Sequence, residues 1–368
     1  MKGWIAENKE LKLVDLRKPR VSKNAVLMRT EYTSVCGSDA ALVEEKIKGY
    51  KKGTVLGHEY CGIVKEVGEN ADQNLIGKMA AVNPYIPCKK CDKCAEKKYN
   101  LCENLEIIGT HRNGGFAEYS AVPADNLIII EDLEYKFLGC LIQPVACSLH
   151  AVRKLGPDNI AEATYYCQNS PSVVVFGGGP MGLLIAYFCR IKLGAGKIFL
   201  VEKNKIRRER YGSLAVDEIL DPEIGDSEML NRVISKTNGG ADIVVDAVGN
   251  LLGSAYRYVK EGGKVLLFGL NSDTGVQFDL TKNEVKKIWN IGEKRFHIIG
   301  SYLALPEDFK EAVEWLETEG YRDFLNHLIK QLTHSFLLPN LLPMDMLNGW
   351  FNEPENGKPL KPIFHNLI

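Results

Sequence analysis

The run Val173-Val174-Val175-Phe176-Gly177-Gly178-Gly179-Pro180-Met181-Gly182 decides how the second half of this 368-residue chain is read. Its first four residues are apolar and β-branched or aromatic, which predicts a buried strand. The apolar stretch Leu183 to Leu193 behind the glycines predicts a helix. Between the two, the glycines fit G-x-G-x-x-G, a pattern that gains its meaning from this order of strand, turn and helix. Gly177 would make the tight turn, Gly179 would let backbone amides approach a pyrophosphate, and Gly182 would let helix pack on strand. Pro180 and Met181 lie inside the same motif and belong to the same cofactor-binding set, with the helix N-terminus facing the phosphates.

Twenty residues past Gly182, after the apolar run Ile198-Phe199-Leu200-Val201, stands Glu202. A carboxylate at this point suits the diol of an adenosine ribose and repels a 2'-phosphate, which favours NAD. Lys203, Arg207 and Arg208 pull the other way, because cations accommodate a phosphate, so NADP stays open.

Outward from this centre, Glu218 to Leu220, Asp242 to Asp246, Lys264 to Phe268 and His297 to Ile299 read as further strands alternating with helical stretches. Such alternation implies crossover connections and a parallel sheet, hence an α/β fold. Towards the N-terminus the rhythm differs. Up to about Ile130 the chain reads as irregular all-β structure, beginning with a hairpin of Gly3 to Ala6 and Leu11 to Val14 around Asn8. Gly156-Pro157 and the polar stretch Tyr165 to Pro171, whose Gln168-Asn169-Ser170-Pro171 reads as a loop, separate the halves. After Gly300 one helix is expected over Glu307 to Glu319, then a proline-rich tail from Pro339. The expected domains are 1–155 and 156–299, with 300–368 trailing.

Composition narrows the function. Forty-six Lys plus Arg against 47 Asp plus Glu give a formal charge of -1, with no electrostatic footprint for nucleic acid or an anionic membrane. The uncharged run Tyr165 to Cys189 is broken by glycines where a membrane helix would need continuity. Met1-Lys2-Gly3-Trp4 leads into charged residues rather than a signal peptide, so a cytoplasmic location is expected.

Four of the ten cysteines crowd into Cys88-x2-Cys91-x2-Cys94-x7-Cys102. That spacing lets one loop wrap a tetrahedral zinc whose four thiolates leave no open position, a structural rather than a catalytic site. Lys89, Lys90, Lys93, Lys97 and Lys98 offset its charge. Cys36-Gly37-Ser38-Asp39, Gly57-His58-Glu59 and Gln143-Pro144 are scattered, and by residue type alone read as a buried thiol and a satisfied imidazole. His111 reads as a polar loop residue and His150 as packing. Cys61, Cys140, Cys147, Cys167 and Cys189 read as small hydrophobes.

Taken together and in order, these landmarks, with Gly114-Gly115-Phe116-Ala117-Glu118-Tyr119, resemble the zinc-containing medium-chain dehydrogenase/reductase family across almost the whole chain. The resemblance implies a GroES-like β domain, completed by residues 300–368, clasping a Rossmann domain, with the active site in the cleft. It makes Cys36 and His58 ligands of a catalytic zinc and Glu59 a third or exchanging ligand. Asp39 would orient His58, and Ser38 would hydrogen-bond the substrate oxygen. Arg207 takes the place of a cation beside the adenosine ribose. The implied chemistry is hydride transfer between a secondary alcohol, polyol or sugar hydroxyl and a nicotinamide cofactor, in a homodimer or homotetramer.

Two positions depart from the family pattern. Many relatives carry Glu-Pro where this chain has Gln143-Pro144, so Glu59 and Gln143 remain alternatives at the metal. Gln143 and the run Phe268 to Gly300 resemble the archaeal glucose dehydrogenases of the family. The relay histidine of the alcohol dehydrogenases is replaced by Ala41, which leaves the proton's exit route open. A glutamate and a glutamine at the metal suit a polyhydroxylated substrate, against simple alcohols or threonine. The rival class is a nucleotide-binding protein of the same fold without turnover, which would carry a damaged catalytic metal site. A zinc-finger-like nucleic-acid binder conflicts with the neutral charge.

Overall fold

Asn8 and Lys9 both take positive φ, 55° and 61°, the backbone of a two-residue hairpin turn whose twist matches its strands. They join β1 (Lys2–Glu7) to β2 (Glu10–Asp15), pairing Glu7 with Glu10. The computed structural model describes residues 1–47, 49–131, 136–210, 216–268, 286–291, 294–318, 342–343 and 363–365. It divides into two units, Met1–Ala146 with Ala304–Ile368, and Cys147–Leu303. The expected boundary after residue 155 and the division at Ala146 both touch one helix, Ile142–Leu155.

In the first unit, β3 (Ala25–Ser34) runs into α1 (Gly37–Val43) and returns as the antiparallel β4 (Glu59–Val67). Next come β5 (Met79–Val82), β6 (Tyr85–Ile86), α2 (Asp92–Ala95), β7 (Glu106–Ile107), β8 (Tyr119–Pro123), β9 (Leu127–Ile129) and α3 (Ile142–Leu155). The pair β6–β7 brackets the four-cysteine loop. Val26, Met28, Tyr60, Val64, Val82 and Val122 form one buried cluster of this unit, and Trp4, Leu42, Leu56, Phe116 and Phe364 belong to another.

The second unit opens with a correction. Gln168 and Asn169, the first half of the expected loop Gln168 to Pro171, lie in the helix α4 (Ile160–Asn169). Asn159 caps its start, accepting a hydrogen bond from the Glu162 amide at 2.9 Å. The helix ends only at Ser170, with φ 51°, before Pro171. A cap thus outweighs the polar composition of the last turn.

Then follow β10 (Ser172–Phe176), α5 (Pro180–Leu193), β11 (Lys197–Val201), α6 (Lys205–Arg210), β12 (Glu218–Leu220), α7 (Asp226–Lys236), β13 (Ala241–Asp246) and α8 (Leu252–Ala255). After them come β14 (Val259–Leu267), β15 (Lys286–Ile291) and β16 (Lys294–Gly300). Every residue of β10 and β13 is buried, as expected of strands covered on both faces.

The sheet order is β12-β11-β10-β13-β14-β16-β15, parallel except for β15, which pairs antiparallel with β16. The expected parallel sheet is present, and β15 is an edge strand that the sequence pattern did not mark. Strand order reverses between β10 and β13, the point where ligands bind at the carboxyl ends of such sheets.

Lys264, 1% exposed on β14, reaches the Gly156 carbonyl at 2.7 Å and the Glu162 carboxylate at 2.7 Å. It so ties β14 to the end of α3 and the start of α4.

Beyond Gly300 the first unit resumes with α9 (Pro306–Glu317), β17 (Leu342–Pro343) and β18 (Ile363–His365). Its main sheet runs β17-β18-β3-β4-β5-β9, with β8 also on β3. Glu319 and the proline-rich tail, apart from these two strands, lie outside the described residues. So does most of the run from Phe268 to β15. Among the described residues, no helix is long and apolar enough to cross a membrane.

Candidate metal and cofactor sites

The register of β3 on β4 sets Ser34 opposite Glu59. Two residues beyond Ser34, Cys36 serves as the extended residue before α1, with φ -97° and ψ 153°. Gly57, at φ 90°, turns the chain ahead of His58 and Glu59. A β-carbon there would stand 2.3 Å from the ring of Phe116, so close approach as well as backbone conformation demands glycine. The result is that one ligand-capable atom each of Cys36, His58 and Glu59 lies within 4.8 Å of the others.

Asp39 organises two of the three. One carboxylate oxygen accepts the backbone N–H of Cys36 at 2.9 Å, and the other lies 3.2 Å from Nδ1 of His58. With Nδ1 so engaged, Nε2 faces the remaining groups, and the Ser38 hydroxyl stands 3.4 Å from it. Burial disfavours a charge on His58, yet Asp39 and then Cys36 outweigh it and raise the imidazole well above its ordinary pKa. Thiol, imidazole and carboxylate are a zinc donor set that leaves a fourth position open.

The four-cysteine loop closes differently. Its sulfurs stand 3.6 Å (Cys91 to Cys94), 3.9 Å (Cys91 to Cys102) and 4.0 Å (Cys88 to Cys94) apart. A tetrahedron with metal–sulfur bonds of about 2.3 Å has edges of about 3.8 Å, so the loop fits zinc. The Lys90 amide draws the Cys88 thiol down to about 6, while burial and the neighbouring sulfurs push Cys94 up to about 12. A metal ion takes the place of those thiol protons when it binds.

Gln143, 8% exposed in α3, donates from Nε2 to the Tyr85 hydroxyl at 2.6 Å. Tyr85 in turn sets its ring against the ring of Phe309, 5.9 Å between centroids.

In the second unit, Gly179 precedes α5 with no side chain capping its amides, and Pro180 starts the helix. A β-carbon on Gly182 would lie 1.9 Å from the Gly177 carbonyl. Glu202, 3% exposed, accepts the Gly178 N–H at 2.9 Å and the Asn204 N–H at 2.8 Å, and Arg207 reaches within 3.6 Å of it. Arg208 is turned elsewhere, onto the carbonyls of Glu202 and Lys203 at 3.0 and 2.6 Å and onto Asp221. At the end of β13, Asp246 accepts the amides of Val248, Gly249 and Leu251, shaping the loop beside Gly177.

Three of these groups were not singled out from sequence: Ser34, Tyr85 and Asp246. Ser34 had a signal, since i and i+2 share a face in extended chain and Cys36 is its i+2 neighbour. Tyr85 and Asp246 carried none. His111 accepts the Ile107 amide at 2.9 Å as a loop residue, and His150 is buried in α3. Cys61, Cys140, Cys147 and Cys189 are buried, but Cys167 is exposed on α4, so the small-hydrophobe reading fails there.

A sheet built to bind a dinucleotide and two clusters with zinc-binding donor sets define a metal-dependent, nucleotide-linked enzyme. The family follows from comparison. Residues 22–132 match the alcohol dehydrogenase GroES-like domain and residues 180–318 the zinc-binding dehydrogenase model. The chain is 30% identical to L-threonine 3-dehydrogenase of Caldanaerobacter subterraneus subsp. tengcongensis over 279 residues, 73% of this chain and 75% of the relative. It is 30% identical to L-galactonate-5-dehydrogenase of Escherichia coli K12 over 305 residues, 82% of each. Its fold matches 2R,3R-butanediol dehydrogenase of Bacillus subtilis with a TM-score of 0.78 at 21% identity, covering 100% of this chain and 99% of that one.

The chain belongs to the zinc-containing medium-chain dehydrogenase family, with a GroES-like and a Rossmann-type domain. It is a zinc-dependent, nicotinamide-linked oxidoreductase of the alcohol, polyol and sugar branch. The two rival classes, a binder without turnover and a zinc-finger-like nucleic-acid protein, fall away with that membership.

Proposed function

We propose that this enzyme oxidises a secondary hydroxyl of a polyol or sugar with NAD in preference to NADP. Cys36, His58 and Glu59 would hold the catalytic zinc, and Cys88, Cys91, Cys94 and Cys102 a structural one. The observation that carries the reading is the grouping of Cys36, His58 and Glu59 within 4.8 Å, beside the Ser38 hydroxyl.

When bound, zinc would supply a Lewis acid that lowers the pKa of a substrate hydroxyl, and NAD would accept hydride. The chain's own residues do the positioning. Asp39 fixes the His58 ring, and the Ser38 Oγ takes the hydrogen bond from the substrate hydroxyl and with it the proton's first step away. Ala41 offers no group to carry that proton further, so it leaves by a route other than a histidine relay. Gln143, held by Tyr85, presents amide donors and acceptors to a substrate with several hydroxyls.

For the cofactor, Gly177, Gly179, Pro180, Met181 and Gly182 would cradle the pyrophosphate at the start of α5. Glu202 and Arg207 would hold the adenosine ribose. The buried Glu202 carboxylate opposes a 2'-phosphate, and Arg208, engaged with Asp221 and two carbonyls, supports NAD by being occupied. The assembly would be a homodimer or homotetramer, in keeping with the family's habit, in the cytoplasm that the start of the sequence suggests, and light scattering tests its size.

NADH formation across polyols, sugars, simple alcohols and L-threonine tests the substrate. Highest kcat/KM on a polyol or sugar is expected, whereas a preference for threonine would place the enzyme with its threonine-dehydrogenase relative. A tenfold preference for NADP, about 1.4 kcal/mol, would overturn the cofactor assignment.

A further inference from the structure

The geometry points to Ser34 as a positioning residue for the catalytic metal site: its hydroxyl holds the Glu59 carboxylate in place beside Cys36 and His58. This rests on the reading of Cys36, His58 and Glu59 as the ligands.

Ser34 is fully buried at the end of β3, directly opposite Glu59 on β4. The neighbouring Thr33 hydroxyl donates to the Glu59 carbonyl at 3.0 Å, which pins the backbone of the same residue. The Ser34 Oγ is hydrogen-bonded to Glu59 Oε2, with the Cys140 carbonyl farther off at 3.5 Å. A hydroxyl has one proton to give, and the nearer, anionic acceptor takes it. Glu59 is 1% exposed, so bulk water does not replace that donor.

The carboxylate is thereby held against swinging away from Cys36 and His58. The site is then braced on both sides: Asp39 fixes Cys36 and His58 from α1, and Ser34 fixes Glu59 from β3. Partners of ligands typically change metal affinity by about tenfold to a hundredfold when removed.

The test compares the wild type with Ser34→Ala, Ser34→Thr and Cys36→Ser. Metal release to a mild chelator is followed with the four-cysteine site as internal reference. The visible absorption of protein carrying cobalt at the catalytic site is recorded in parallel. Ser34→Ala should release the catalytic-site metal at least tenfold faster and shift the cobalt bands. Ser34→Thr, which keeps a hydroxyl, should match the wild type in both. Wild-type release and spectrum in Ser34→Ala would overturn the inference, and so would loss of both in Ser34→Thr, since packing rather than the hydroxyl would then be at work. Cys36→Ser should hold one metal instead of two. If it holds both, the ligand assignment itself is wrong, a failure separate from that of Ser34.

Discussion

The two regions of the first unit whose side chains could hold a metal are built on opposite plans. The four cysteines lie within one loop between β6 and β7, and the chain needs only local turns to bring their sulfurs to a tetrahedral edge. Cys36, His58 and Glu59 come from a helix start, a glycine turn and a strand, and meet only because β3 and β4 pair in one register. With metal bound, the closed site would be held by its own ligands, and the open one would lean on neighbours that do not touch the metal, Asp39 and Ser34 above all. A site that keeps a position free for substrate gives up a ligand, and surrounding hydrogen bonds compensate.

The contrast is broken most forcefully by removing a ligand from each region. Cys36→Ser should abolish turnover by at least about a hundredfold while thermal unfolding shifts little, since the lost bonds belong to chemistry. Cys94→Ser should do the reverse at first, lowering Tm sharply and losing activity only with the fold. Activity assays beside thermal melts decide this, and a large Tm loss in Cys36→Ser would erase the distinction. Mild chelation is the same comparison without mutation. It should remove activity and about half the zinc while circular dichroism stays native, and full activity in metal-free protein would contradict it.

Asp39→Asn sharpens the picture of bracing, because an amide still accepts from one group but cannot balance the His58 ring as a carboxylate does. Catalytic-site zinc affinity should fall by about tenfold to a hundredfold, with the four-cysteine zinc untouched, as read by competition with a chromogenic chelator.

A reference outside both regions is Asp242 in β13, buried beside Lys260 and Ser172. Burial raises its pKa, but Lys260 and Ser172 more than offset this and leave the carboxyl below its ordinary range. A depressed folded-state pKa contributes stability that is present above the unfolded value and lost as pH falls through the folded one. Asp242→Asn should therefore remove about 1–3 kcal/mol at neutral pH and flatten the acid limb of the stability curve, whichever metals are bound.

The smallest effect is expected from Gln143→Glu. A carboxylate can accept from Tyr85 in place of the amide's donation, so the fold should hold. If residue 143 reaches the metal, zinc retention improves and the acidic limb of the pH–rate profile moves upward, each by less than about tenfold. A profile with an unchanged midpoint would confine Gln143 to packing.

Legibility in the sequence followed the same divide. The glycine turn at Gly177 to Gly182 and the four-cysteine spacing were readable because everything they need lies within a few residues. The residues of the open site were named by their resemblance to a family, but the bracing by Ser34 and Tyr85 depends on strand register and on side chains from other elements. The helix α4 was missed because the polar Gln168-Asn169 outweighed, in reading, a cap at Asn159 that outweighs it in the structure. The edge strand β15 pairs antiparallel with β16 and so stands outside the parallel strand–helix alternation by which the sheet was read.

The ring of Phe116 pressed against Gly57 has a consequence for the order of assembly. His58 and Glu59 reach their places only when a segment from far along the chain has docked, and closing so long a loop is slow. The four-cysteine loop waits for nothing of the kind. A newly made chain would therefore capture its structural ion early and admit the second only when the sheet carrying β3 and β4 is nearly complete. Time-resolved metal uptake during refolding reads that order directly.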